Sequence, residues 1–197
     1  MTRTVTAELT PRTDTTPAVA DVPARDKSGA HWVGRFPGSA SLDDLAAGFR
    51  AGATAFIGAI QAAGGRVTVV ATYRPRERAY LMHYSAKINS GDLAPSAVPP
   101  MPGVNIDWVH DTPAASKAAA RAMVAAYGIV FPPALVSRHT ERAAVDMTIT
   151  GIIGKSIQDA TGQEVVVKKM SDLHAVGASY GVHKLVSDPP HWSDDGH

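Results

Sequence analysis

Two short stretches hold the residue types that do chemistry. "SRHTERAAVD" at 137–146 sets a histidine and an aspartate seven residues apart, and "SDPPHW" at 187–192 sets an aspartate three residues before a histidine. His139, Asp146 and His191 together offer two imidazoles and one carboxylate. That set suits Zn²⁺ and leaves a fourth position for water. Asp188 sits across a rigid Pro189–Pro190 pair from His191. It would stand beside the metal without ligating it, placed to carry a proton from a water to a leaving amine. Singly, each residue has an ordinary reading: a loop histidine at the surface, a strand aspartate paired with an arginine, Asp-Pro turn chemistry. The combination is what points to a metal.

The spacing sets a geometric condition. "AAVDMTI" alternates, with Val145, Met147 and Ile149 on one face and Ala144, Asp146 and Thr148 on the other, which is the pattern of a strand. On an unbroken strand an odd separation puts His139 and Asp146 on opposite faces. The two converge only if the chain bends between them, near Arg142.

Other elements must position these residues. Ser41, with Asp44 three residues on, resembles a capping box and starts a helix whose apolar positions include Leu45, Phe49, Phe56, Ile57 and Ile60. Gly64 and Gly65 end it, and "RVTVVATY" at 66–73 reads as a strand. Pro75 opens a second helix to about residue 89, and a proline-rich loop follows. Asp111 or Thr112 caps a third helix with Pro113 at its first position, and Gly128 stops it. A strand at 164–169 and a short helix at 170–179 complete the pattern. This order predicts an α+β fold: one domain with a small antiparallel sheet flanked by helices. Residues 1–38 are expected to be a flexible tail, of which 31–36 can dock, and residues 39–197 the domain.

Composition narrows the function classes. The 197 residues are 45% hydrophobic with a formal net charge of +1, so nothing electrostatic calls for nucleic acid. There are no cysteines, which excludes disulfides, thiol catalysis and cysteine-ligated metal. No apolar run is long enough for a membrane span, and the N-terminus lacks the apolar core of a secretory signal. "GIIGK" at 151–155 lacks the full spacing of a phosphate loop.

The pattern Ser137-x-His139-x-x-Arg142-x-Ala144-x-Asp146 resembles the Ser-x-His-x-x-Gly-x-Ala-x-Asp signature of the zinc D-alanyl-D-alanine carboxypeptidase family. That group includes vancomycin-resistance dipeptidases, phage L-alanyl-D-glutamate endolysins and the hedgehog fold. "DPPHW" resembles the closing motif of the endolysin branch, and "ATYRPRERAYL" the upstream segment that supplies an active-site arginine. The resemblance spans about residues 40–197. It implies a hedgehog/DD-peptidase-like fold, Zn²⁺ held by His139, Asp146 and His191, and Asp188 as general acid and base. It further implies Arg74 as the cation for the scissile carbonyl, with Ser137 and Tyr73 at the substrate. His183 either lines the groove for substrate carboxylates or caps the 170–179 segment. The activity implied is that of a monomeric peptidase on peptidoglycan peptides, made in the cytoplasm and reaching the wall by holin release or a secretion machine. The alternative is a non-catalytic zinc module of the same fold with a structural or wall-binding role. One departure stands out: Arg142 replaces the usual glycine. A glycine needed for positive φ would leave arginine strained, and one needed for close approach would leave it crowded.

Overall fold

Phe49, Ala53, Phe56, Ile57 and Ile60 share one face of a helix, and that face needs a partner surface. A computed structural model, which describes residues 24–197, shows the partner to be a four-stranded antiparallel sheet. In chain order the elements are β1 (Asp26–Lys27), α1 (Ala47–Ala62), β2 (Arg66–Ala71), α2 (Arg76–Ser90), β3 (Ile106–Asp107) and α3 (Pro113–Tyr127). Then come β4 (Ala144–Thr150), β5 (Ser156–Gln158), β6 (Glu164–Val166), α4 (Asp172–Ser179), β7 (His183–Lys184) and β8 (His191–Ser193). The main sheet runs β2-β4-β8-β7, β5 and β6 form a separate antiparallel pair, and β1 pairs with β3 in parallel. The fold is thus mixed α+β in one domain. Among the described residues no helix is long and apolar enough to cross a membrane.

The sheet buries Val145, Met147 and Trp192 on one face, against α1 and against Leu173 and Val176 of α4. Each such side chain contributes about 1.5–3 kcal/mol by leaving water. A second cluster joins α2, α3 and the N-terminal segment through Trp32, Leu81, Ile106, Trp108 and Met123. Alternation along β4 and β8 leaves Asp146 and His191 on the face opposite Val145 and Trp192.

Three expectations are revised. The segment expected to belong to a tail through residue 38 is folded from residue 24 onward: β1 pairs with β3, and Trp32 is buried with its indole N–H donating to Lys27 O at 3.0 Å. Residues 1–23, the rest of that expectation, lie outside the described residues. The helix expected from Ser41 is two pieces. Ser41 caps a 3₁₀ turn, Leu42–Asp44, its hydroxyl accepting from Asp43 N at 3.2 Å, and α1 begins only at Ala47. The break is where the His139 loop docks, since Ala46 N donates to Arg142 O at 2.8 Å. The strand expected over 66–73 ends at Ala71, past a register shift between Val69 and Ala71. Beyond it Thr72 N and Tyr73 O turn to Ser39 instead (2.7 and 2.9 Å).

Candidate metal centre

The bend that the spacing demands is built from one turn. Thr140 N donates to Ser137 O at 2.8 Å and Ala143 N to Arg138 O at 2.9 Å, winding 137–143 tightly before β4. Arg142 sits at φ 62°, the one non-glycine residue with positive φ among those described. The left-handed step turns the chain so that His139 and Asp146 face each other although their separation is odd. Where a glycine was expected, arginine takes the strained conformation, and its side chain is anchored: Nη1 donates to Asp44 O at 2.8 Å and the guanidinium lies 3.6 Å over the Tyr73 ring.

His191 arrives by strand register. Asp146 of β4 is directly opposite His191 of β8, so the two side chains are cross-strand neighbours. Trp192 fixes that register by packing 5.2 Å from Phe56 in the core. Lys184 braces the connecting loop, its ammonium donating to the carbonyls of Leu185, Asp188 and His191 at 2.5, 2.5 and 2.9 Å.

The donor atoms form a near-equilateral triangle. His139 Nε2 lies 3.0 Å from Asp146 Oδ1 and 3.2 Å from His191 Nδ1, and His191 Nδ1 lies 3.1 Å from Asp146 Oδ1. Tetrahedral ligands at zinc–nitrogen and zinc–oxygen distances stand about 3.3 Å apart, so the set fits. The outer nitrogens strengthen the case. His139 Nδ1 faces Thr72 O at 3.3 Å, and His191 Nε2 faces His197 O at 3.1 Å. Main-chain oxygens only accept, so those nitrogens carry the protons. The inner nitrogens then present lone pairs to one another and to a carboxylate, with both histidines buried. Three electron-rich atoms this close call for a cation. Pairing of the second ring nitrogen to a backbone carbonyl is also how metal-ligating histidines are oriented. Burial alone would raise the Asp146 carboxyl; positive charge among the three donors, whether a proton on an inner nitrogen or a bound cation, outweighs that and holds it well below the usual carboxylate range. It could therefore serve as an anionic ligand at neutral pH.

The triangle opens on a cleft of about 570 Å³. Arg74 and Asp188 both line it, and neither side chain is hydrogen-bonded or ion-paired to a described residue. Burial lowers the Arg74 guanidinium from its ordinary value, partly countered by the carboxylates of Asp146 and Asp188; it remains a cation. Ser137 also lines the cleft, with a buried hydroxyl that has no partner among the described residues. Two expected substrate residues stand elsewhere. Tyr73 lies under Arg142, outside the cleft lining, and His183 is in β7 opposite Ser193.

Sequence reasoning missed several contributors. An apolar loop with Phe131 and Val136 forms one rim of the cleft, and both are more than half exposed. Arg138 and His197 line the same space. Residues 193–197 fold back over the site, with Asp194 and Asp195 carboxylates 2.9 and 2.8 Å from the Arg138 guanidinium. The cue was available in the letters: one arginine beside a candidate ligand and two aspartates shortly after another. Compared with known proteins, the chain matches no family model, no curated protein and no solved structure.

Proposed function

We propose that this chain is a zinc-dependent peptidase that hydrolyses peptidoglycan stem peptides, with a hedgehog/DD-peptidase-like fold. It would act as a cell-wall lytic endopeptidase or carboxypeptidase that reaches the wall by holin release or machine-mediated secretion. The observation that carries the reading is the His139–Asp146–His191 donor triangle at the base of a cleft that also holds a cation, Arg74, and a carboxylate, Asp188, neither hydrogen-bonded nor ion-paired through its side chain among the described residues. The choice of substrate rests on the motif resemblance.

A bound Zn²⁺ supplies Lewis acidity toward a carbonyl and lowers the pKa of a water. The rest falls to the chain itself. Arg74 offers a fixed positive charge, already partly desolvated, to the oxygen that gains negative charge in the transition state. Asp188 has its carboxylate free to take a proton and return it to the departing amine. The three carbonyl contacts of Lys184 keep the Asp188 loop in place while it does so. Phe131 and Val136 give an extended substrate an apolar wall.

The test combines metal analysis with mass spectrometry of sacculi digests. Wild type is expected to hold one zinc per chain and to release new amino termini in a chelator-sensitive manner. Asp188→Ala is expected to keep the zinc and lose at least about 100-fold in rate. Wild type that holds zinc yet releases no new amine from any sacculus would instead establish a non-catalytic zinc module.

A further inference from the structure

We infer that Arg138 and residues 193–197 form a clasp that positions His191 as a metal ligand, through the His197 main-chain oxygen. The inference rests on the metal reading above and concerns what holds one ligand in place.

His191 Nδ1 belongs to the donor triangle, so the orientation of the ring is set by what its Nε2 meets. That partner is His197 O at 3.1 Å, a main-chain atom six residues downstream. An oxygen in an unsupported segment would be a poor anchor, because ordering each residue costs about 1–2 kcal/mol. The segment is supported. Asp195 Oδ1 accepts from His197 N at 3.0 Å and from Ser193 Oγ at 3.2 Å, and Ser193 Oγ accepts from Gly196 N at 2.9 Å. Gly196 at φ 82° gives the turn its direction, a conformation that glycine adopts without steric cost. Asp194 N donates to Ala143 O at 3.0 Å, which ties the start of the segment to the entry of β4.

Arg138 closes the device. Its Nη2 is 2.8 Å from Asp195 Oδ2, its Nε 2.9 Å from Asp194 Oδ1, and its Nη1 donates to Glu141 Oε2 at 2.5 Å. Arg138 immediately precedes the ligand His139, and the two aspartates follow the ligand His191 by three and four residues. One guanidinium thus joins the chain beside one ligand to the chain beyond another. An isolated exposed ion pair contributes little, but one guanidinium set among three carboxylates, close to Asp194 and Asp195 and hydrogen-bonded to Glu141, holds their segments together. Arg138 and Asp195 are therefore positioning residues, acting on His191 through the backbone.

The test is zinc affinity by competition with a chromogenic chelator, together with the visible absorption of the cobalt-substituted protein. Asp195→Ala and Arg138→Ala are each expected to weaken zinc binding by about 10- to 100-fold and to alter the cobalt spectrum, since the His191 ring loses its fixed orientation. The double variant should be little weaker than either single, because both break one device. Asp195→Asn, nearly isosteric, tests the point should an alanine variant fold poorly; it too should weaken binding. Variants that match wild type in affinity and in cobalt spectrum, whatever their melting temperature, would overturn the clasp and leave the metal centre standing. A wild type that takes up no zinc would overturn both.

Discussion

Arg142 shows how one residue can carry a cost and its compensation together. A non-glycine side chain in the left-handed region costs roughly 1–2 kcal/mol. The return comes from a charged hydrogen bond to Asp44 O at 2.8 Å and stacking on Tyr73 at 3.6 Å, both from a partly exposed guanidinium. We expect Arg142→Ala to be the most damaging replacement, about 2 kcal/mol, because it keeps the backbone cost and forfeits the anchor. Arg142→Gly should lose about 1 kcal/mol, since relief of strain offsets part of the lost contacts. Urea denaturation midpoints decide it, and an alanine variant as stable as wild type would refute the anchoring role. At this scale the sequence was most informative. Two imidazoles and a carboxylate are legible together as candidate ligands, and the odd spacing of His139 and Asp146 already required a bend near Arg142. The main-chain oxygens of Thr72 and His197 were not legible as partners, because every residue offers one and only the fold selects which is used.

Between residues and molecule, the strands β4 and β8 and the helix α4 set the site's precision. Asp146 and His191 meet because Val145 and Trp192 are paired one step away on the core face; a one-residue slip of β8 would turn His191 to the core face, away from Asp146. Trp192 is packed closely. A Cβ added at Gly177 would lie 2.8 Å from its ring and 2.7 Å from Val182 O. Gly177→Ala is therefore expected to cost about 1–3 kcal/mol and to weaken zinc binding in parallel, as measured by denaturation and chelator competition. The same packing makes α4 sensitive to pH. Burial lowers the His174 imidazole below its ordinary 6.5, and the nearby Lys184 ammonium lowers it further. The unfolded chain then binds the proton more readily than the folded one. Stability should be complete above pH 6.5 and fall as pH drops below it toward the lower folded value. In zinc-loaded protein compared at pH 7.5 and 5.5, His174→Gln should show a smaller loss than wild type; equal losses would remove His174 from the account. The first helix and β4 were readable from apolar periodicity, and α2 and α3 from the proline, cap and glycine signals at their ends. The register of β8 was not, since three residues after a Pro–Pro pair carry no period of their own, nor was β1, only two residues long.

Across the whole molecule, the candidate centre lies on the sheet face opposite the α1–α4 core and joins three parts of the chain. The turn at 137–142 supplies His139, β4 supplies Asp146, and β8 supplies His191, with the two histidines 52 residues apart. An unfolded chain does not hold these donors together, so metal binding free energy becomes folding free energy. At a free zinc concentration about 100 times the dissociation constant, the folded state gains about 2.7 kcal/mol. For a chain of this length that corresponds to a rise in melting temperature of roughly 5–11 °C, reversed by chelator. The variants sort the causes. Asp146→Asn loses the anionic ligand and should show little or no zinc-dependent rise. Asp188→Ala lies outside the donor triangle and should show the wild-type rise even though it is expected to be inactive. Asp195→Ala should fall between them at a fixed zinc concentration, because a 10-fold weaker site gives up about 1.4 kcal/mol of that gain. Calorimetry with and without zinc measures all four proteins. A rise that Asp146→Asn shares in full would mean that zinc binds elsewhere on the protein, and the triangle would lose its claim to the metal.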